Sequence, residues 1–145
     1  MTPTRDDKAY AAGLFDGEGC VIIRAQAVAK GTRSSVVLRV SIANTYFPVH
    51  SWLRARWGGH VSRRDRPSRD GFLRRPIGEW ILTSRAAWAF LSDIVPFVVI
   101  KKAQVENAVA FQAMKRQPGR TRGLTAEQRR AELRCVTLAR ELKEA

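Results

Sequence analysis

Cysteine is nearly absent from this 145-residue chain. Its two copies, Cys20 and Cys135, stand far apart, so no disulfide framework is written into the sequence. Histidine is equally scarce. His50 and His60 stand alone, and no Cys/His cluster has the spacing of a zinc site. No apolar run approaches the ~18 residues that a membrane helix needs. The first eight residues are polar and lack a secretory core, which points to a cytoplasmic protein acting in a reducing compartment. Acids are few as well: 13 Asp and Glu against 26 Lys and Arg, a net charge of +13. A soluble domain rarely carries such an excess without an anionic partner.

Lysine is the minority base. Six of the 26 basic residues are lysines and twenty are arginines. Arginine makes forked contacts to phosphates and guanine edges, although a GC-rich genome also favours its codons. From Arg54 to Arg75 eight arginines meet only Asp65 and Asp70, a local balance of +6. That stretch is a solvated loop or a phosphate-facing one.

Hydrophobic patterning predicts mixed α and β elements. Asp6 or Asp7 would cap a first helix running to about Gly17. Ala9, Gly13 and Gly17 recur every four residues on one face of it. Each glycine costs such a helix about 1 kcal/mol relative to alanine, so another backbone is expected to come close there. Cys20–Val28 and Val36–Asn44 alternate as two strands of a hairpin, one face apolar and the other polar and basic. Phe47–Trp57 reads as a helix with Pro48 in its first turn and Gly58-Gly59 as its stop. His60–Arg64 and Ile77–Thr83 form a second hairpin. Ser84 would cap a third helix ending at Ile94, and a fourth runs from about Val99 to Lys115. Thr125 and Gln128 fit a capping box that opens a tail helix. The order is αββαββαα plus a tail. The expected division is a domain over 1–116, a linker over 117–124 and a packed helix over 125–145.

Two acids flank a glycine where the first helix meets the first strand, in Asp16-Gly17-Glu18-Gly19. Such a segment serves as an ordinary turn. Yet Glu18 lies at a helix C-terminus, where the macrodipole disfavours a carboxylate. A hard divalent cation would offset that and take oxygen ligands. One carboxylate is too few for a dedicated cage, so phosphate oxygens, water and a second Glu18 across a symmetric dimer would complete it.

Ala11–Gly19, AAGLFDGEG, resembles the nine-residue signature of the LAGLIDADG homing endonucleases. Ala12, Gly13, Leu14, Asp16 and Gly19 are signature residues themselves. Ala11 departs mildly and Glu18 replaces the final Asp conservatively. Pro96–Gln104 resembles the segment that carries the family's active-site lysine, and the likeness spans roughly residues 7 to 115. It implies an α+β, αββαββα fold with a four-stranded antiparallel saddle sheet that binds duplex DNA, followed by C-terminal helices. One motif implies a homodimer on a near-palindromic duplex, joined along Ala9, Ala12, Gly13, Asp16 and Gly17.

The implied reaction is phosphodiester hydrolysis of both strands, leaving 3′ overhangs, with Mg²⁺ as cofactor and Mn²⁺ or Ca²⁺ as possible substitutes. Glu18 and Gly17 would hold the metal. Glu18, Lys101 and Asn44 would form the catalytic set. Lys102 rivals Lys101 in register, Lys101 alone reads as a surface lysine, and Asn44 also suits a strand end or a helix cap. Arg24, Gln26, Arg39, Ser41, Ser62, Arg64 and Glu79 are expected on the base-reading face. Glu79 would accept from a cytosine amino group or pair an arginine. Arg63, Arg66, Arg69, Arg74 and Arg75 are expected on phosphates. His50 and His60 are expected in the groove or on the surface. In the tail, Leu124, Leu133, Val136 and Leu138 would pack, while Arg129, Arg130 and Arg134 could reach DNA. A non-cleaving relative of the family, an RNA maturase or transcription regulator, is the alternative. A ribosome-associated basic protein fits the charge but leaves AAGLFDGEG unexplained.

Overall fold

The computed structural model describes residues 1–27, 34–67, 70, 74–115 and 124–145. Among these residues nine elements follow in order: α1 (Arg5–Glu18), β1 (Gly19–Ala27), β2 (Ser34–Asn44), α2 (Phe47–Trp57), β3 (His60–Arg64), β4 (Ile77–Thr83), α3 (Ser84–Ile94), α4 (Lys102–Lys115) and α5 (Ala126–Glu144). The four strands make one antiparallel sheet in the order β1-β2-β4-β3. This is the α+β architecture that the resemblance implied.

Local chemistry explains the boundaries. Thr4, not Asp6 or Asp7, caps α1. Its hydroxyl accepts from the Asp7 amide at 3.2 Å, and the Asp7 carboxylate accepts from the Thr4 amide at 2.9 Å. The two bonds satisfy orphan donors reciprocally, which places Asp7 at the third helical position. α2 ends at Gly58, with φ 72°, and its carbonyl accepts from the Trp80 indole at 2.8 Å. Gly59 has φ 95°, and a Cβ there would sit 2.7 Å from the Ile81 carbonyl. The glycine pair is therefore required by both conformation and space. Thr83 rather than Ser84 is the cap of α3, and Ser84 itself turns the chain with φ 51°.

One face of the sheet packs against helices. Val21, Ile23, Leu38, Val40, Ile42, Trp80 and Leu82 meet Phe15, Leu53, Phe90, Leu91, Val105 and Phe111 in a continuous core. Phe90 gathers Phe15, Trp57 and Trp80 around it edge-to-face. α5 lies against α4 and the β1 edge through Cys135, Val136 and Ala139, and Asn107 donates to the Cys135 carbonyl at 3.0 Å. Leu133 and Leu138 do not pack as the sequence suggested. Both are exposed, because the inward stripe is Glu132, Cys135, Val136 and Ala139. Leu124 is half-buried, and the rest of the expected linker lies outside the described residues.

His50 is not in a groove. It is buried beneath Gly78, edge-on to Phe47. Neither ring nitrogen makes a full hydrogen bond. Burial pushes its pKa below the ordinary 6.5, and the Ile42 backbone opposes this only in part. The unfolded chain therefore takes up this proton first as pH falls. The His50 contribution to stability is complete above about pH 6.5 and is lost progressively below it. A urea midpoint that falls between pH 7.5 and 5.5, with a shallower fall in His50→Leu, is the expected result.

Candidate active site and nucleic-acid interface

The small residues of α1 divide between two faces. Ala11, Ala12 and Phe15 are fully buried in the chain's own core. Ala12 thus turns away from any partner, contrary to its expected place on a dimer face. The 3.6-residue period puts it in line with Phe15 and Ala11. Gly13 and Gly17 are different: among the described residues, a Cβ added to either would meet nothing within 4 Å. Ala9 is half-buried and Tyr10 is exposed. Nothing among the described residues explains the helix stability given up at Gly13.

Gly19 is constrained from inside. A Cβ there would lie 2.2 Å from the Phe15 ring and 2.5 Å from the Phe15 carbonyl. With no side chain at Gly19, α1 passes directly into β1. That leaves Glu18 exposed on the last helical turn, at the edge of the sheet.

Asp16 has a role that the sequence did not announce. Its carboxylate accepts from the Val99 amide at 2.8 Å and the Lys101 amide at 3.0 Å. Burial works to raise its pKa, but these amides, the Ile100 amide and the Lys101 charge outweigh burial and hold it below the ordinary 3.8. Lys101 completes the clasp. Its ammonium donates to the Gly19 carbonyl at 2.7 Å and the Phe15 carbonyl at 3.1 Å. A cation therefore sits on the negative end of α1, where it is favoured by about 0.3–1 kcal/mol. The carbonyls it takes flank Glu18 in the chain. Lys102, its rival in register, opens α4 exposed, and no hydrogen bond of its side chain is among those described. The fourth helix starts at Lys102 rather than Val99, and the Val99 and Lys101 amides that precede it are given to Asp16. α4 has no Ser, Thr, Asp or Asn just before it, and that missing cap is the one sequence signal for such a clasp.

Asn44 ends β2 opposite Gly78, at the end of the sheet where Gly19 pairs with Ile42. Its Oδ1 accepts from the Tyr46 amide at 2.8 Å and shapes the turn into α2. Among the described residues no three His, Cys, Asp or Glu side chains cluster to hold a metal ion. The Glu18 carboxylate and the helix-end carbonyl of Gly17 are hard oxygen donors that suit a divalent cation. A single chain supplies too few of them for a full shell.

The outer face of the sheet is set by register. Cys20, Ile22 and Arg24 of β1, Val37, Arg39, Ser41 and Ala43 of β2, Ile77, Glu79, Ile81 and Thr83 of β4, and His60, Ser62 and Arg64 of β3 alternate onto it. Arg24 and Arg64 are exposed, and Ser62 is half-buried. Gln26 stands on β1 opposite Ser35. Ser41 is on this face yet only 6% exposed, so it offers no open contact as the chain stands. The Arg39 guanidinium meets the Glu79 carboxylate at 3.2 Å. Exposed His60 shares the rung of Ser41, which strand alternation from Ser62 and Arg64 would have indicated.

Arg63 points the other way, over the Phe47 ring, and pairs with Asp65. Arg66 holds the two ends of the basic loop together by donating twice to the Arg75 carbonyl at 3.2 Å. Arg74 and Arg75 are exposed, and Arg69 lies outside the described residues. On α5, Arg129, Arg130 and Arg134 are exposed. No helix of the described residues is long and apolar enough to cross a membrane.

No family model matches the chain, and no curated protein matches it. Solved structures do. The homing endonuclease I-CvuI, in complex with its target in the presence of Ca, superposes with a TM-score of 0.68 at 16% identity, over 97% of this chain and 82% of that one. The archaeal intron-encoded homing endonuclease I-Vdi141I, complexed with DNA, gives 0.67 at 15% identity, over 96% and 83%. The LAGLIDADG meganuclease I-AabMI, bound to uncleaved DNA, gives 0.61 at 18% identity, over 96% of this chain but 46% of that one. At such identities the likeness speaks for the architecture, and the chain has the fold of the LAGLIDADG homing endonucleases.

Proposed function

We propose that this protein is a single-motif LAGLIDADG homing endonuclease, a homodimer that hydrolyses both strands of a near-palindromic DNA duplex and leaves 3′ overhangs. The observation that carries the reading is the grouping at one helix end. Exposed Glu18 lies between the two residues whose carbonyls hold the Lys101 ammonium. I-CvuI, I-Vdi141I and I-AabMI, which share the fold, are bound to DNA. This chain matches about four-fifths of the first two but under half of the third, in keeping with one half of a two-fold assembly. Gly13 and Gly17 leave the outer side of α1 bare, and a second copy of the same helix would cover it.

Each side chain then has a task. Glu18 and the Gly17 carbonyl would hold Mg²⁺, with Mn²⁺ or Ca²⁺ as substitutes, and phosphate, water and the second subunit would supply the remaining oxygens. When bound, the ion lowers the pKa of water and offsets charge on phosphate. Lys101 keeps positive charge beside the phosphate, and Asp16 fixes Lys101 by holding the turn that carries it. Asn44 would order water at the same end of the sheet. Arg24, Gln26, Arg39, Ser62 and Arg64 would face base edges, with Ser41 joining them once uncovered. Arg66, Arg69, Arg74, Arg75 and, from the rim, Arg63 would meet phosphates. The dimer would join along Gly13 and Gly17, with Ala9 at the margin and Asp16 turned inward to its clasp.

The test is cleavage of a randomised duplex library with Mg²⁺, followed by sequencing of the cut ends. Symmetric targets with 3′ extensions are expected. Blunt or 5′-extended ends, or a protein that binds duplexes as a monomer and never cuts, would overturn the reading and leave a non-cleaving nucleic-acid binder.

A further inference from the structure

Glu79 is out of place on a face built for a polyanion. It is the one acid among the described outward-facing strand residues, on a face that carries Arg24, Arg39 and Arg64. It repels phosphate, so it does not serve general affinity. Nor does stability explain it. The pair it makes with Arg39 is partly exposed, and such pairs contribute little. Arg39 Nε is buried without a hydrogen-bond partner, so the resting pair leaves the guanidinium incompletely satisfied.

Register shows how the two residues meet. Three outward rungs cross β2 and β4: Arg39 with Thr83, Ser41 with Ile81, and Ala43 with Glu79. Arg39 and Glu79 stand on the outer two, and their side chains reach each other at 3.2 Å across the middle one. That accounts for Ser41, which is outward-facing yet almost fully covered.

We infer that Arg39 and Glu79 act as one specificity unit that selects a G·C pair in the major groove, an inference that rests on the DNA-binding reading above. A guanidinium donates to guanine O6 and N7, while a carboxylate accepts from the cytosine N4 amino group. These edges lie side by side in one base pair, as the donor and acceptor do here. In an A·T pair at the same position, the thymine would turn its O4 acceptor and methyl group toward Glu79 and leave the carboxylate unpaired. Glu79 thus rejects wrong pairs and keeps Arg39 from settling on phosphate. Engaging the bases parts the two side chains and uncovers Ser41.

The experiment is selection of bound duplexes from a randomised library by the full-length protein, Glu79→Gln and Arg39→Gln. The wild type is expected to restrict one position of each half-site to G·C. Both variants relax that same position about ten-fold or more, and Glu79→Gln binds random duplex more tightly in low salt. If either variant selects as stringently as the wild type, or the two relax different positions, the coupled unit is overturned. A melting curve for each variant separates lost selection from lost fold. A wild type that selects no sequence at all overturns the DNA reading itself, and this unit with it.

Discussion

Glu18→Gln is expected to bind duplex DNA as well as the wild type and to cleave it about a thousand-fold more slowly. Electrostatic support of a scissile phosphate contributes several kcal/mol, and about 4 kcal/mol corresponds to a thousand-fold in rate. The substitution removes a charge and leaves the shape unchanged. Glu18 is exposed and ends α1, where the helix dipole disfavours an anion. Its neutralisation should therefore raise the melting temperature slightly, by the equivalent of about 0.3–1 kcal/mol. Lower activity with unchanged or higher stability is the pattern of a residue kept for chemistry. Single-turnover cleavage, gel-shift affinity and a thermal melt measure the three quantities. Equal cleavage by both proteins would remove Glu18 from the reaction.

Alanine at two glycines of the same motif should act in opposite directions. At Gly19 the new methyl would press on the Phe15 ring and carbonyl, within 2.2–2.5 Å. Neither can move without disturbing the junction of α1 and β1, so a loss of about 3 kcal/mol is expected. That is a large share of the ~5–15 kcal/mol that holds a domain together. At Gly13 the methyl meets nothing among the described residues, and the helix gains about 1 kcal/mol of intrinsic propensity. If a second α1 lies against it, that gain comes with loss of the dimer. Chemical denaturation of dilute protein and sedimentation at higher concentration separate the effects. A Gly13→Ala protein that remains dimeric would move the subunit contact away from this face.

Much of the fold was legible because its signals are local. The glycine pair after Trp57, the Thr125–Gln128 capping box and the alternation of Val36, Leu38, Val40 and Ile42 each act within a few residues. They mark the ends of α2, the start of α5 and the inward side of β2. Boundaries slipped where a distant group took part. α4 begins later than the pattern suggested, and the amides before it go to Asp16, far away in sequence. The tail leucines were expected to face inward from their apolarity alone. Burial on α5 follows the helix phase imposed by α4 and β1 instead, and it takes Glu132 inward while Leu133 faces outward.

The sequence by itself determined the order of elements, the motif that ends in Glu18, and the alternation that sends one side of each strand inward and the other out. These follow from side-chain period and backbone propensity, which need only near neighbours. Only the tertiary structure decided which small residues of α1 stay open, that Lys101 closes onto the carbonyls around Glu18, that Ser41 is covered, and that Arg39 is held by Glu79. Each of these depends on the register and approach of segments dozens of residues apart. Distances of that kind arise from packing, and no short stretch of chain encodes them.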